Sequence, residues 1–298
     1  MKVLLFGKNG QVGWELQRSL APLGEVVALG SRGEPHPSDF NEPDRLAETV
    51  RLVRPDVIVN AAAWTAVDKA ESDAEGARRV NAVAPGVLAR AAEAAGALLV
   101  HYSTDYVFDG SGDAPRAEGA ATGPLNTYGR TKLEGEQLVA QHTARHLTFR
   151  TSWVYAARGG NFARTMLRLA GERDRLTVID DQFGAPTGAD LIADVTAHAI
   201  RAALADPSRC GLYHLVSSGE TTWHGYARHV IGFAQAAGVA LKAGPEAVAP
   251  VPTSAFPTPA QRPLNSRLDT RKLREAFGLT LPDWRSGVDR MLREVLDR

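Results

Sequence analysis

Five short apolar runs, at Lys2–Phe6, Glu25–Leu29, Asp56–Asn60, Ala97–Tyr102 and His146–Thr151, alternate with stretches of helical period over the first half of the chain. Runs this short and this apolar read as strands buried on both faces, and the connections leave room for little more than one crossover helix each. Strand, helix, parallel strand is the βαβ unit, so the alternation predicts an α/β protein with a Rossmann-type doubly wound parallel sheet covered on both faces. Beyond Trp153 the pattern loosens. Helices at Asn161–Ala170, Leu191–Leu204 and Thr222–Ala237 surround strands at Leu176–Ile179 and Leu212–Leu215, and short helices near Arg271–Phe277 and Trp284–Leu296 finish the chain. The expected division is a Rossmann domain over 1–155 and a smaller C-terminal α/β lobe over 156–298, some of whose segments return to pack on the sheet. The Pro-, Ala- and Thr-rich stretch Ala243–Pro263 reads as a loop or lid that orders on contact.

Charge and cysteine content narrow the partners. Lys+Arg and Asp+Glu number 34 each among 298 residues, so there is no net basic field for nucleic acid or an anionic membrane. No apolar run approaches the roughly 20 residues that span a bilayer, and Met1-Lys2 leads straight into a strand with no secretory signal. A single cysteine, Cys210, excludes an intrachain disulfide and a multi-cysteine metal site. His224 and His229 miss the i,i+4 spacing that sets two imidazoles on one metal, so no metal is expected. The chain reads as soluble and cytoplasmic.

The first strand stops at Gly7-Lys8-Asn9-Gly10-Gln11-Val12-Gly13, after which Val12, Leu16 and Leu20 recur at helical spacing. Strand, glycine turn and helix together form a nucleotide-binding pattern: glycines let the backbone approach a pyrophosphate, and a helix N-terminus offers N–H groups and a positive dipole end. The spacing is GxxGxxG, and a tight turn with nothing bound is the bland alternative. After the second strand come Gly30-Ser31-Arg32, with no acid until Glu34 to hold ribose hydroxyls. Arg32 suits a 2′-phosphate, or is simply an exposed loop arginine, so NADPH or NADH is the expected cofactor. Asp39 is placed to accept from an adenine amino group, with Phe40 against the base. Small residues Ala61-Ala62-Ala63, ahead of Trp64-Thr65, let a cofactor lie close to the third strand's end.

Tyr128 and Lys132 lie four residues apart on a predicted helix and so share one face. A phenol, with an ordinary pKa of about 10, is a poor acid or base near neutrality, and an adjacent ammonium favours the phenolate. A hydroxyl from Ser103 or Thr104 at the end of the fourth strand completes a trio suited to proton transfer at a carbonyl or alcohol. A surface Tyr–Lys pair is the alternative for so short a motif. However, Gly7, Asp39, Ala63, Thr104 and Ser152-Trp153 all fall just past strand ends, on the one edge of a parallel sheet where ligands bind. Trp64, Trp223 and Trp284 read first as packing residues.

With Phe6–Gly13, Ala61–Glu71, Ser103–Gly110, Tyr128–Glu136, Arg150–Tyr155, Asp181–Thr187 and Arg262-Pro263 in view, the chain resembles the dTDP-4-dehydrorhamnose reductases, extended members of the short-chain dehydrogenase/reductase superfamily. The resemblance implies reduction of the C4 ketone of a dTDP-sugar by NAD(P)H. Tyr128 is then the proton donor, Lys132 its modulator and a ribose ligand, and Thr104 the donor to the reacting oxygen. It implies sugar contacts at Thr104, Asp105 and Trp153. Cofactor contacts are implied at Gly10, Gln11, Val12, Asp39, Phe40, Ala63, Trp64, Thr65 and Tyr102, beside Gly7 and Gly13. Related sequences often carry an acid where Gly30 stands, which leaves cofactor preference open. Asn161, Gln182 and Arg262 are sugar or diphosphate candidates, and a homodimer is compatible with the resemblance. Another nucleotide-sugar reductase or epimerase, and a non-catalytic regulatory subunit on the same scaffold, are the competing readings.

Overall fold

The computed structural model describes residues 1–31 and 35–297. Strands β1 (Lys2–Phe6), β2 (Glu25–Leu29), β3 (Val57–Asn60), β4 (Leu98–Thr104) and β5 (His146–Thr151) lie where the apolar runs fall. Seven more follow: β6 (Val154–Tyr155), β7 (Leu176–Ile179), β8 (Phe183–Gly184), β9 (Thr187–Gly188), β10 (Gly211–His214), β11 (Thr221–Thr222) and β12 (Val248–Val251). Six of these form one sheet in the order β10-β5-β4-β3-β1-β2, and every pairing in it is parallel. The helices are α1 (Gln11–Leu20), α2 (Asp44–Val53), α3 (Val67–Ser72), α4 (Ala74–Arg78), α5 (Ala84–Ala95), α6 (Thr127–His142), α7 (Phe162–Glu172), α8 (Ala189–Ala205), α9 (Trp223–Ala236), α10 (Arg271–Phe277) and α11 (Trp284–Leu296).

The two faces of the sheet follow from the period-2 alternation within each strand. Val3, Leu5, Val57 and Val59 point into a core shared with Leu16 and Leu20 of α1, Ile192 and Ala199 of α8, and Leu273 and Phe277 of α10. Leu4, Phe6 and Ile58 point the other way, against Leu46 and Val50 of α2, Val87 and Leu88 of α5, and Val139 of α6. A separate core, with Tyr155, Met166, Tyr226, Trp284 and Val288, holds α7, α9 and α11 together. The chain runs from β1 to β2 on one side and returns to β3 on the other. This reversal of strand order opens a crevice above the carboxyl ends of β1 and β3.

Three features go beyond the alternation of strands and helices. Segment 243–263 is not wholly loop, because β12 pairs in parallel with β7, Pro250 facing Val178. The sheet they form has only two strands, both of them edges, where proline's missing N–H costs least. The alanine-rich segment 74–95 is not one α-helix: a π-helical turn at Arg79–Val83 interrupts it, and Pro85 stands in the first turn of α5. The sheet also draws its sixth strand, β10, from well beyond residue 155. Among the described residues no helix is long and apolar enough to cross a membrane, and no group of three or more His, Cys, Asp or Glu side chains is placed to hold a metal ion.

Candidate active site

Gly7 closes β1 with φ +85°, and a Cβ there would stand 2.6 Å from the Ala61 carbonyl carbon at the end of β3. At Gly13 a Cβ would be 2.0 Å from the Gly7 carbonyl oxygen. Only glycine therefore lets the turn and the first turn of α1 close on each other at the crevice. No side chain caps α1 at Gly10, its first turn carries no acid, and Gly10 is exposed. Free N–H groups at an uncapped helix start attract a phosphate. Gln11 donates to the Gly160 carbonyl at 3.1 Å, while its Oε1 is buried without a partner. Gly13→Ala should therefore open the turn, cost about 1–3 kcal/mol of stability and weaken NADPH binding. Thermal melts and a fluorescence titration will check this, and unchanged binding would argue against a phosphate cradle.

The other expected cofactor contacts fall at or after strand ends, and two of them, Phe40 and Tyr102, turn their side chains elsewhere. Arg32 lies outside the described residues. Asp39 accepts from the backbone and side-chain N–H groups of Asn41, both at 2.9 Å. The Phe40 ring, expected against a base, instead packs edge-on to Phe6 at 5.6 Å and is buried in the core. An aromatic beside a strand end finds more apolar surface beneath the sheet than above it. Ala63 and Thr65 are exposed. Trp64 is held by Asn81, whose amide accepts from the Trp64 N–H at 2.9 Å and donates to its carbonyl at 3.1 Å. The same amide donates to Thr131 Oγ1 on α6 at 3.2 Å. Asn81, in the π-helical turn, thus ties the cofactor edge to the helix of Tyr128 and Lys132. The sequence reading passed it over, although a polar residue amid alanines and an irregular turn often mark a functional site.

Helix α6 is positioned from its first residue. Asn126 accepts from the Gly129 N–H at 2.8 Å, and Glu71 of α3 accepts from the Thr127 N–H at 2.7 Å. A Cβ on Gly129 would stand 2.2 Å from the Tyr106 carbonyl oxygen, so the helix lies directly on the turn after β4. This contact sets the Tyr128 ring edge-on to Tyr106 at 5.6 Å, with Thr104 beside it. Thr104 donates to Asp105 Oδ1 at 2.9 Å and accepts from the Tyr106 N–H at 3.2 Å. Lys132, 2 % exposed, donates to the Tyr102 carbonyl at 2.5 Å.

Burial pushes the Tyr128 phenol up to about 12; the Thr104 hydroxyl opposes that shift and the Asp105 charge adds to it. The Lys132 ammonium donates to the Tyr102 carbonyl, and burial lowers it to about 8 against the attraction of Glu136. Tyr102 itself was expected at the cofactor. Its hydroxyl meets Thr196 Oγ1 of α8 at 2.7 Å, and it is the carbonyl that reaches the site.

Trp153 has φ +51°, a strained value for a bulky side chain, and its indole stacks on Trp223 with centroids 3.7 Å apart. Gly184 permits this, because a Cβ there would lie 2.8 Å from the Trp153 ring. Trp223, expected as packing, lines a cavity of about 320 Å³ with Tyr106, Phe162, Gln182, Thr253 and Arg262. Gln182 accepts from the Trp223 indole and donates to Thr253, each at 3.0 Å. Arg262 is held by Asp68 through two bonds of 2.6 and 2.7 Å. Asn161 serves its own loop, capping α7 by accepting from the Arg164 N–H at 3.1 Å. Trp284 is buried in the lobe core.

A glycine cradle at the switch point of a parallel sheet, with Tyr128 and Lys132 one helical turn apart at its edge, defines the extended short-chain dehydrogenase/reductase class. The family of the RmlD substrate binding domain matches residues 1–296. The dTDP-4-dehydrorhamnose reductase of Escherichia coli strain K12 is 59% identical over 295 residues, covering 99% of this chain and 98% of that protein. Among solved structures, a dTDP-4-dehydrorhamnose reductase from Clostridium acetobutylicum aligns with a TM-score of 0.89 at 33% identity over all of both chains. That of Bacillus anthracis, in complex with NADP, aligns with a TM-score of 0.89 at 32% identity, covering 98% of this chain and 99% of its own. The chain belongs to the dTDP-4-dehydrorhamnose reductase family.

Proposed function

We propose that this protein reduces the C4 ketone of dTDP-4-dehydro-L-rhamnose to dTDP-L-rhamnose with NAD(P)H, and that Tyr128 donates the proton. The observation that carries the reading is Tyr128 beside Thr104 at the carboxyl end of β4, two strands from the glycine turn after β1, with Lys132 buried one turn along the same helix. When bound, NAD(P)H supplies the hydride to the carbonyl carbon. Gly7, Gly10 and Gly13 with the N–H groups of α1 fit its pyrophosphate, Asp39 and the Ala63–Thr65 edge its adenosine half, and Lys132 a ribose. The Tyr128 hydroxyl protonates the developing alkoxide, and Thr104 orients the oxygen that receives it. High phenol basicity keeps Tyr128 protonated near pH 7, as a donor must be.

The lobe over 156–298 is the sugar-nucleotide side. Trp153 stacked on Trp223 offers a flat apolar wall for a sugar or base face, and the cavity beside it ends at Arg262, a cation for the diphosphate. We place the reaction in the cytoplasm, with a homodimer as its expected form. The test is NAD(P)H absorbance decay with dTDP-4-dehydro-L-rhamnose generated in place, run with each cofactor and followed by analysis of the product's C4 configuration. Sugar-dependent oxidation giving the rhamno product is expected, with NADPH accepted. Cofactor binding without oxidation would overturn the reading in favour of a non-catalytic protein.

A further inference from the structure

Asp105, for which the resemblance implies a sugar contact, is a buried carboxyl that the proton transfer as derived leaves without a task. It is 2 % exposed, and among the described residues no ion pair reaches it. One oxygen accepts the Thr104 hydroxyl at 2.9 Å. The other, Oδ2, has no hydrogen bond of full geometry, although the Ser266 hydroxyl stands close enough to favour the charged form. Ser266, itself buried, also lines a second cleft of about 690 Å³ whose wall includes Arg271 and Thr280 and none of Thr104, Tyr128 or Lys132. A chain of exchangeable groups therefore runs from that cleft through Ser266, Asp105 and Thr104 to the Tyr128 hydroxyl.

Once the reduced sugar has left, Thr104 has one hydroxyl hydrogen and two claimants. With Asp105 ionised, that hydrogen points to the carboxylate, and Thr104 can only accept from the phenol. With Asp105 protonated, the carboxyl donates to Thr104, and the Thr104 hydrogen turns toward Tyr128. We infer that Asp105 is a positioning and proton-relay residue that restores the Tyr128 proton after each turnover, drawing on water in the cleft beyond Ser266. The inference rests on Tyr128 being the donor. The carbonyl carbon takes the hydride, and its oxygen takes the Tyr128 proton. The phenolate then takes the Thr104 hydrogen as Thr104 takes the Asp105 proton. Water, by way of Ser266, reprotonates the carboxylate, so each cycle consumes one hydride and one proton. Groups around the relay agree with this direction. Burial raises Asp105 to about 6, with Ser266 and Thr104 opposing. Tyr106 on its own turn and Tyr128 from α6 are neutral, the nearby Lys132 is buried, and Arg262 beside Tyr106 is paired with Asp68.

The test is rapid-mixing NADPH oxidation by wild type, Asp105→Asn, Ser266→Ala and Tyr128→Phe, with NADPH affinity measured for each and an infrared pH titration of the cofactor-free proteins. Asp105→Asn starts with Tyr128 protonated, so the expected trace is a burst of about one turnover per site followed by a steady state at least about tenfold slower. Ser266→Ala should give the same shape with a smaller drop. Wild-type kcat should step down to a lower plateau as pH rises through about 6, with Asp105→Asn on that plateau throughout. The infrared titration should show a buried carboxyl protonating in wild type and absent in Asp105→Asn. A first turnover slowed as much as the steady state, or a wild-type profile without the step, overturns the relay and leaves Asp105 a substrate-binding group. If Asp105→Asn fails to bind NADPH, the Ser266→Ala trace and the wild-type step decide by the same criteria. Tyr128→Phe separates the two readings: near-normal first turnover in that variant removes Tyr128 as the donor whatever Asp105 does.

Discussion

Replacing Tyr128 with Phe is expected to lower kcat by about 10²–10⁴-fold, the range of general acid catalysis, while leaving NADPH affinity nearly unchanged. The change deletes one oxygen and keeps the ring that packs edge-on against Tyr106. It also leaves the Lys132 bond to the Tyr102 carbonyl and the Asn126 cap of α6 in place. What disappears is the phenol proton beside Thr104. The water-filled space left behind is a poor substitute, since water there is neither oriented nor matched in acidity to an alkoxide. Steady-state kinetics with a cofactor titration will separate these effects. Activity within about threefold of wild type would assign the acid elsewhere, whereas a matching loss of NADPH binding would make the tyrosine structural.

Replacing Glu136 with Gln should be the most destabilising single change near the site, by about 3–5 kcal/mol. Arg150 of β5 donates to Glu136 of α6 twice, at 2.9 and 2.7 Å, and the side chains are only 4 % and 7 % exposed. The guanidinium also lies over the Phe108 ring at 5.0 Å, so an unpaired Arg150 has no water to turn to. A glutamine leaves that cation uncompensated in low dielectric. Urea denaturation should show the loss, and the double replacement Glu136→Leu with Arg150→Met should recover much of it, because a removed pair is cheaper than a broken one. A loss under about 1 kcal/mol would mean that solvent reaches the pair. There is a second consequence. Glu136 is the charge that holds Lys132 up against its burial, so without it the lysine deprotonates at lower pH. Wild-type activity should fall as pH rises through about 8, where Lys132 loses its charge, and in Glu136→Gln that fall should come at lower pH.

The strands and most helices were legible because each carries its own signal: apolar runs for β1 to β5, and glycines where β1 meets α1. The short strands β6, β8, β9 and β11 were not, since two residues carry no periodicity and pair only once the lobe has closed. In β12, proline masked a strand that only its edge position permits. Tyr128 and Lys132 could be placed on one helical face from their spacing alone, and Thr104 at a strand end from the polar turn that follows it.

The order of apolar runs and glycines by itself determined a parallel, doubly wound sheet with a ligand edge, because strand period and turn chemistry are local properties of the chain. Only the tertiary structure decided what the site residues touch. Folding turned the Tyr102 hydroxyl to Thr196 and its carbonyl to Lys132, sank Phe40 beneath Phe6, and brought in Asn81 and Trp223. Such contacts join residues far apart in sequence, and they depend on burial and on competition for single hydrogen-bonding atoms, neither of which exists until the core has formed.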